Sequence, residues 1–101
     1  MKIVEQKLPE AFEKDIEKAV DILKKAGCEE IYIFGSLAKG NFNEESDIDF
    51  AVKGLPKGLF YKVGAELNSA MEHFFDLIKI DDPLDRFSNF IQENEVFIRV
   101  A

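Results

Sequence analysis

Two aspartates, Asp47 and Asp49, flank a single isoleucine at the head of an apolar run, and ten residues upstream of them stands the pair Gly35-Ser36. Residues two apart on a strand project to the same face, so the two carboxylates would lie side by side. Charges that close repel and raise the pKa of one group unless a cation sits between them. A hard divalent ion answers that need, and Mg²⁺ is commonly held by one or two carboxylates together with substrate phosphates. Glycine lets the backbone approach a phosphate without a Cβ in the way. A helical turn starting at Ser36 would add free N–H groups and a hydroxyl, with Lys39 in reach of the same phosphate. At usages of about 5–7% per residue type, Gly-Ser, ten residues and Asp-x-Asp coincide by chance in roughly one chain of this length in a thousand.

Taken singly, these parts have plainer readings. Asp-x-Asp suits a solvated strand start, Ser36 an ordinary helix N-cap, and Lys39 a solvated surface lysine. Their coupling favours chemistry. A third carboxylate strengthens it: Asp76 stands among Phe74, Phe75, Leu77 and Ile78, where a charge is costly unless paired or bound to metal. The alternative is an aspartate at a strand's exposed end. Read as chemistry, Asp76 is a third metal ligand and the base that takes a proton from an attacking hydroxyl. Asp47, Asp49 and Asp76 around two Mg²⁺ ions, with a triphosphate at Gly35-Ser36, would make a phosphoryl or nucleotidyl transfer site.

The flanking sequence must supply elements that bring these groups together. Phe12, Ile16, Ala19, Val20 and Leu23 predict a helix over 9–26, with Pro9 in its first turn and Gly27 as its stop. A buried strand is predicted over 31–34, a helical turn over 36–39 and a polar loop over 41–46. A second strand follows over 47–52, a helix over 59–73 and a third strand over 75–80. Leu84, Phe87, Phe90 and Ile91 mark a last helix, and 96–100 a short edge strand; residues 1–8 suggest no element. For Gly35 to meet Asp47, the first two strands must run antiparallel. A full helix between the second and third strands calls for a right-handed parallel crossover. The fold class is therefore α/β (α+β), a small mixed β-sheet flanked by helices, with Asp76 beside the start of the second strand.

With 101 residues, the chain is read as one domain, 1–101, able to bury a core. A net charge of -7 argues against binding nucleic acid by phosphate neutralisation. Nucleotide binding stays open, because metal ions can bridge carboxylates and phosphates. The single Cys28 fits a reducing compartment. No signal-like leader or membrane span is seen, so the expected location is cytoplasmic. His73, the one histidine, is read as a surface or capping residue at a helix end, and Glu44 and Glu45 as a solvated loop. Cys28, beside two glutamates, is not expected to have a low pKa. Phe87, Phe90 and Phe97 are read as core, with an exposed dimer or partner patch as the alternative.

Gly35-Ser36, Asp47-x-Asp49 and Asp76 resemble the nucleotidyltransferase superfamily that includes DNA polymerase β. The wording Gly-Ser-x-Ala-Lys-Gly, then Ser-Asp-Ile-Asp-Phe-Ala-Val, is similar to its minimal nucleotidyltransferase branch, the antitoxins paired with HEPN toxins. The resemblance runs from about residue 10 to residue 100. It implies the polymerase β-like fold, with Gly35 and Ser36 on the β- and γ-phosphates and Asp47, Asp49 and Asp76 on two Mg²⁺ ions. It also implies transfer of AMP from ATP to a tyrosine of a HEPN-like toxin, which silences it. One position departs: Leu37 stands where many members carry a basic or aromatic residue. Larger members carry a second domain that grips the acceptor, so a partner protein or second copy would supply that surface here. The alternative is an antitoxin that neutralises its partner by binding alone. Transfer to a small molecule is a weaker third.

Overall fold

Phe12, Ile16, Ala19 and Leu23 are the apolar residues that helix α1 (Glu10–Lys25) buries in the computed structural model, which describes residues 1–101. Glu10 and Glu13 stand at the positive end of its dipole and Lys24 and Lys25 at the negative end. The chain then turns at Gly27, whose φ of 110° favours glycine.

The next strands are β2 (Glu30–Phe34) and β3 (Ile48–Lys53), joined through the one-turn helix α2 (Ser36–Lys39). A 3₁₀ turn at Lys57–Leu59 leads into α3 (Phe60–Ala70) and then β4 (Phe75–Lys79). Helix α4 (Arg86–Asn94) and strand β5 (Val96–Arg99) follow. As a meeting of Gly35 with the aspartate pair requires, β2 and β3 pair antiparallel, from Glu30 opposite Lys53 to Phe34 opposite Asp49. Strands β3 and β4 pair parallel across α3, with Ile48 opposite Phe75 and Asp49 opposite Asp76.

Alternation along the strands divides the core in two. Ile31, Ile33, Ile48, Phe50 and Val52 join α1 and α3 in the larger cluster. Tyr32, Phe34, Ala51, Ile80 and Phe97 form a smaller one on the opposite face, with Ile91 of α4 packed against it. Asp49 and Asp76 alternate onto this second face, in the same rows as Ala51 and Ile78.

Four expectations need correction. Strand β5 is not an edge: Lys2–Ile3 form a short strand, β1, parallel to it, and the sheet order is β1-β5-β2-β3-β4. Two paired residues carry no periodicity by which a sequence could reveal them. The helix expected over 59–73 ends at Ala70, since Met71 is extended and the next two N–H groups turn to Asp15. Of the three phenylalanines read as core, only Phe97 is buried; Phe87 and Phe90 are each 60% exposed, and Leu84 beside them is 87% exposed. Helix α4 instead turns Ser88, Ile91 and Gln92 inward, and Gln92 donates to the Ile80 carbonyl at 3.1 Å. A regular apolar stripe marks a helix without saying which of its faces meets the sheet.

Candidate active site

The antiparallel register places Phe34 opposite Asp49, so the residue after Phe34 meets the Asp49 side chain. That residue is Gly35, with φ 73° and ψ -147°, a conformation L side chains rarely adopt. A Cβ there would overlap Asp49 Oδ2 and lie 3.1 Å from Cγ. The glycine thus serves both the turn and the carboxylate beside it.

Strand β4 brings Asp76 into register with Asp49. Asp49 is half-buried, and its pKa is pushed up to about 6, first by burial and then by Asp76, with Asp47 and Glu95 adding their charge. The sequence argument for Asp76 rested on an apolar setting, yet its side chain is exposed. It reaches the site through strand register instead. Asp47 lies one residue before β3, not inside it, so strand alternation does not orient it. It is delivered by the preceding loop, which folds on itself: Glu45 N–H donates to Asn43 Oδ1 at 2.8 Å, and Asn43 N–H to Ser46 Oγ at 2.9 Å.

Ser36 opens α2 with its side chain half-buried, and its carbonyl accepts the N–H of Gly40 at 2.9 Å. The first N–H groups of a helical turn have no partner within it. Leu37, at the position that departs from the family pattern, is buried in the larger core. Lys39 is half-exposed, and its Nζ lies 3.2 Å from Glu95 Oε2 at the α4–β5 junction.

Asp49, Asp76 and Asp47 fit a divalent cation in one respect: negative charge gathers there and shifts a titration. They do not form a closed cage, since no three His, Cys, Asp or Glu side chains are grouped to hold an ion alone. An open set suits Mg²⁺, which keeps waters and takes substrate phosphates as ligands. The largest concavity, about 610 Å³, lies along α1 around Ile16, Val20 and Lys24 and contains none of these residues.

Two features were not foreseen. Glu95 acts on Asp49 from a sequence distance that no local motif reveals. Asp15, 3% exposed on α1, accepts from the N–H groups of Glu72 at 3.0 Å and His73 at 2.7 Å, and lies 2.7 Å from His73 Nδ1. His73 is therefore no surface residue; its ring also packs on Phe12 with centroids 4.2 Å apart. Burial would raise the Asp15 pKa, but the hydrogen bonds from His73 and Glu72 outweigh it and hold the carboxyl below its ordinary value. The pair anchors the segment that leads into β4, where the Phe74 carbonyl accepts the Ile48 N–H at 3.0 Å. At Cys28, by contrast, burial and then Asp81 raise the thiol pKa; it is not low, as expected, but the causes are these and not the two neighbouring glutamates.

Residues 17–99 match the family described as polymerase beta, nucleotidyltransferase. Among solved structures, the chain is similar to a toxin–antitoxin complex crystallised with AMP-PNP, at 29% identity and a TM-score of 0.53, over 63% of this chain and 56% of that one. The chain thus spans little more than half of that relative's length. It is also similar in fold to the toxin–antitoxin MntA–HpeT in a mutant form, at 21% identity and a TM-score of 0.59, over 80% of this chain and 69% of that one. No curated protein sequence matches significantly. No helix is long and apolar enough to cross a membrane.

Proposed function

The chain belongs to the polymerase beta nucleotidyltransferase family, and on that premise we propose that it transfers AMP from ATP to a hydroxyl of a cognate HEPN-like toxin, a tyrosine, and so acts as an antitoxin. The observation that carries this reading is the meeting of Asp49 with Asp76 across β3 and β4, with Gly35 against the Asp49 carboxylate. An isolated surface aspartate has no reason to sit beside a second carboxylate, or to require a glycine in a left-handed conformation. Burial and then the neighbouring negative charges raise the Asp49 pKa to about 6, a cost that a binding cation would relieve.

In this reading Asp47, Asp49 and Asp76 hold divalent Mg²⁺, two ions in the full site, which when bound stabilises the attacking and leaving oxygens. Gly35 and Ser36 present backbone N–H groups to the β- and γ-phosphates, and Lys39 supplies a cation at the edge of that turn. The acceptor oxygen attacks the α-phosphorus in line, and its proton passes to the exposed Asp76 carboxylate. The bond from the α-phosphorus to the bridging oxygen breaks, and pyrophosphate leaves with that electron pair. Exposed Leu84, Phe87 and Phe90 support a protein partner, since α4 and the turn before it present three large apolar side chains to solvent. The same ridge supports the second reading, in which the chain neutralises a toxin by binding alone.

Pyrophosphate release from ATP, measured with Mg²⁺ and the toxin partner, tests the catalytic reading. Asp49→Asn and Asp76→Asn should each lower the rate roughly 100-fold or more. Unchanged release in both variants would move the chemistry elsewhere.

A further inference from the structure

Of the four carboxylates acting at this site, only Glu95 has a cation within ion-pair distance. Its partner, Lys39, closes the helical turn that begins with Ser36. The antiparallel pairing of β2 with β5, with Ile33 opposite Ile98, runs the start of β5 alongside the end of β2. Glu95 therefore sits at the same end of the sheet as the Gly35-Ser36 turn. Its side chain is 20% exposed while that of Lys39 is 47% exposed, so the carboxylate is the more fixed partner and the ammonium the freer one. Ion pairs this open to water are weak and readily exchanged.

We propose that Glu95 is a placeholder for nucleotide phosphate: it holds the Lys39 ammonium at the edge of the turn and yields it to an incoming triphosphate. This inference rests on the nucleotide-binding reading of the site. A triphosphate carries several negative charges against one on Glu95, so it wins the competition for Lys39. Once Lys39 moves, the Glu95 carboxylate is left unpaired among Asp49 and the phosphates, where it opposes binding. Glu95 thereby sets nucleotide affinity without touching the reacting atoms. It is a positioning residue acting through Lys39.

Calorimetric titration of ATP with Mg²⁺ into the intact chain tests this, using wild type, Glu95→Gln, Lys39→Ala and the double variant. Glu95→Gln should tighten ATP roughly 3- to 10-fold, and Lys39→Ala should weaken it by a similar factor. The gain from Glu95→Gln should shrink in the Lys39→Ala background, because there is no ammonium left to release. Adenosine, which has no phosphate, should bind wild type and Glu95→Gln alike. Equal or weaker ATP binding by Glu95→Gln, in a wild type that binds ATP, would overturn the placeholder role alone. A gain of the same size in both backgrounds would likewise overturn the hand-over. A wild type that binds no ATP would instead overturn the nucleotide reading, and this inference with it.

Discussion

The Asp49 carboxylate occupies the space that any side chain at residue 35 would need, so Gly35 and Asp49 share one volume at the end of β2. Gly35→Ala would force either the carboxylate away or the backbone out of its φ of 73°. Strain of this kind costs of order 1–3 kcal/mol. Urea denaturation should record a loss in that range, and Mg²⁺-dependent binding of ATP should fall by at least tenfold because Asp49 is displaced. An alanine variant as stable and as competent as wild type would contradict the placement.

The raised pKa of Asp49 has a definite sign in stability. Its value is about 6 against 3.8 for an ordinary aspartate. Between those values the folded chain keeps a proton that the unfolded chain has lost, so stability falls as pH rises through the window and the penalty is complete above it. Without divalent ions, the thermal midpoint should drop between about pH 4 and pH 6.5 more steeply in wild type than in Asp49→Asn. Mg²⁺ should raise the midpoint most at the upper end of that range, where the carboxylate is ionised. Asp15 acts oppositely: its lowered pKa contributes stability above 3.8 that is lost only as pH falls below it, outside the Asp49 window.

Asp15→Ala would leave two backbone N–H groups and His73 Nδ1 without their acceptor in a largely closed pocket. Removing one partner of a buried pair costs about 3–5 kcal/mol, and the lower end applies because the His73 side chain is 18% exposed. Denaturant titration should show this, with Asp15→Asn milder because an amide oxygen still accepts. The segment entering β4 should also exchange its amide hydrogens faster in Asp15→Ala, since its anchor is gone.

The phenylalanines near the end of the chain should separate sharply. Phe97→Ala empties a site in the smaller core and should cost about 3–5 kcal/mol. Phe87→Ala and Phe90→Ala remove exposed rings and should change stability by less than about 0.5 kcal/mol. Their effect should appear in partner binding, measured by co-purification or calorimetry with the proposed toxin. Loss of stability without loss of binding would mean that the α4 ridge packs within the chain.

What the sequence disclosed was local. Gly35-Ser36 and Asp47-x-Asp49 lie within one hairpin-like excursion, so a meeting of Gly35 with Asp47 implied that β2 and β3 run antiparallel; they do, but it is Asp49 that lies against Gly35. Asp76 was picked out by its apolar neighbours, and the helix between strands placed it beside β3, although its exposure shows that desolvation was the wrong reason. Contacts between distant segments were hidden. Asp15 and His73 are 58 residues apart, and nothing in either neighbourhood signals the pairing. Strand β1 was equally invisible, because Lys2 and Ile3 form a strand only by lying against Val96 and Phe97. The outward turn of Phe87 and Phe90 was the alternative and not the preferred reading, because an apolar stripe does not show that the second face of the sheet is small and is met by Ser88 and Ile91.

The most direct measurement incubates the chain and the proposed toxin partner with Mg²⁺ and ATP labelled at either the α- or the γ-phosphate. Nucleotidyl transfer through Asp47, Asp49 and Asp76 predicts label on the partner from the α position and none from the γ position. That label should disappear in Asp47→Asn and Asp49→Asn. Label arriving from γ, or α-label surviving in both variants, would contradict nucleotidyl transfer at this site. No label from either position, with the toxin still silenced, would leave neutralisation by binding alone.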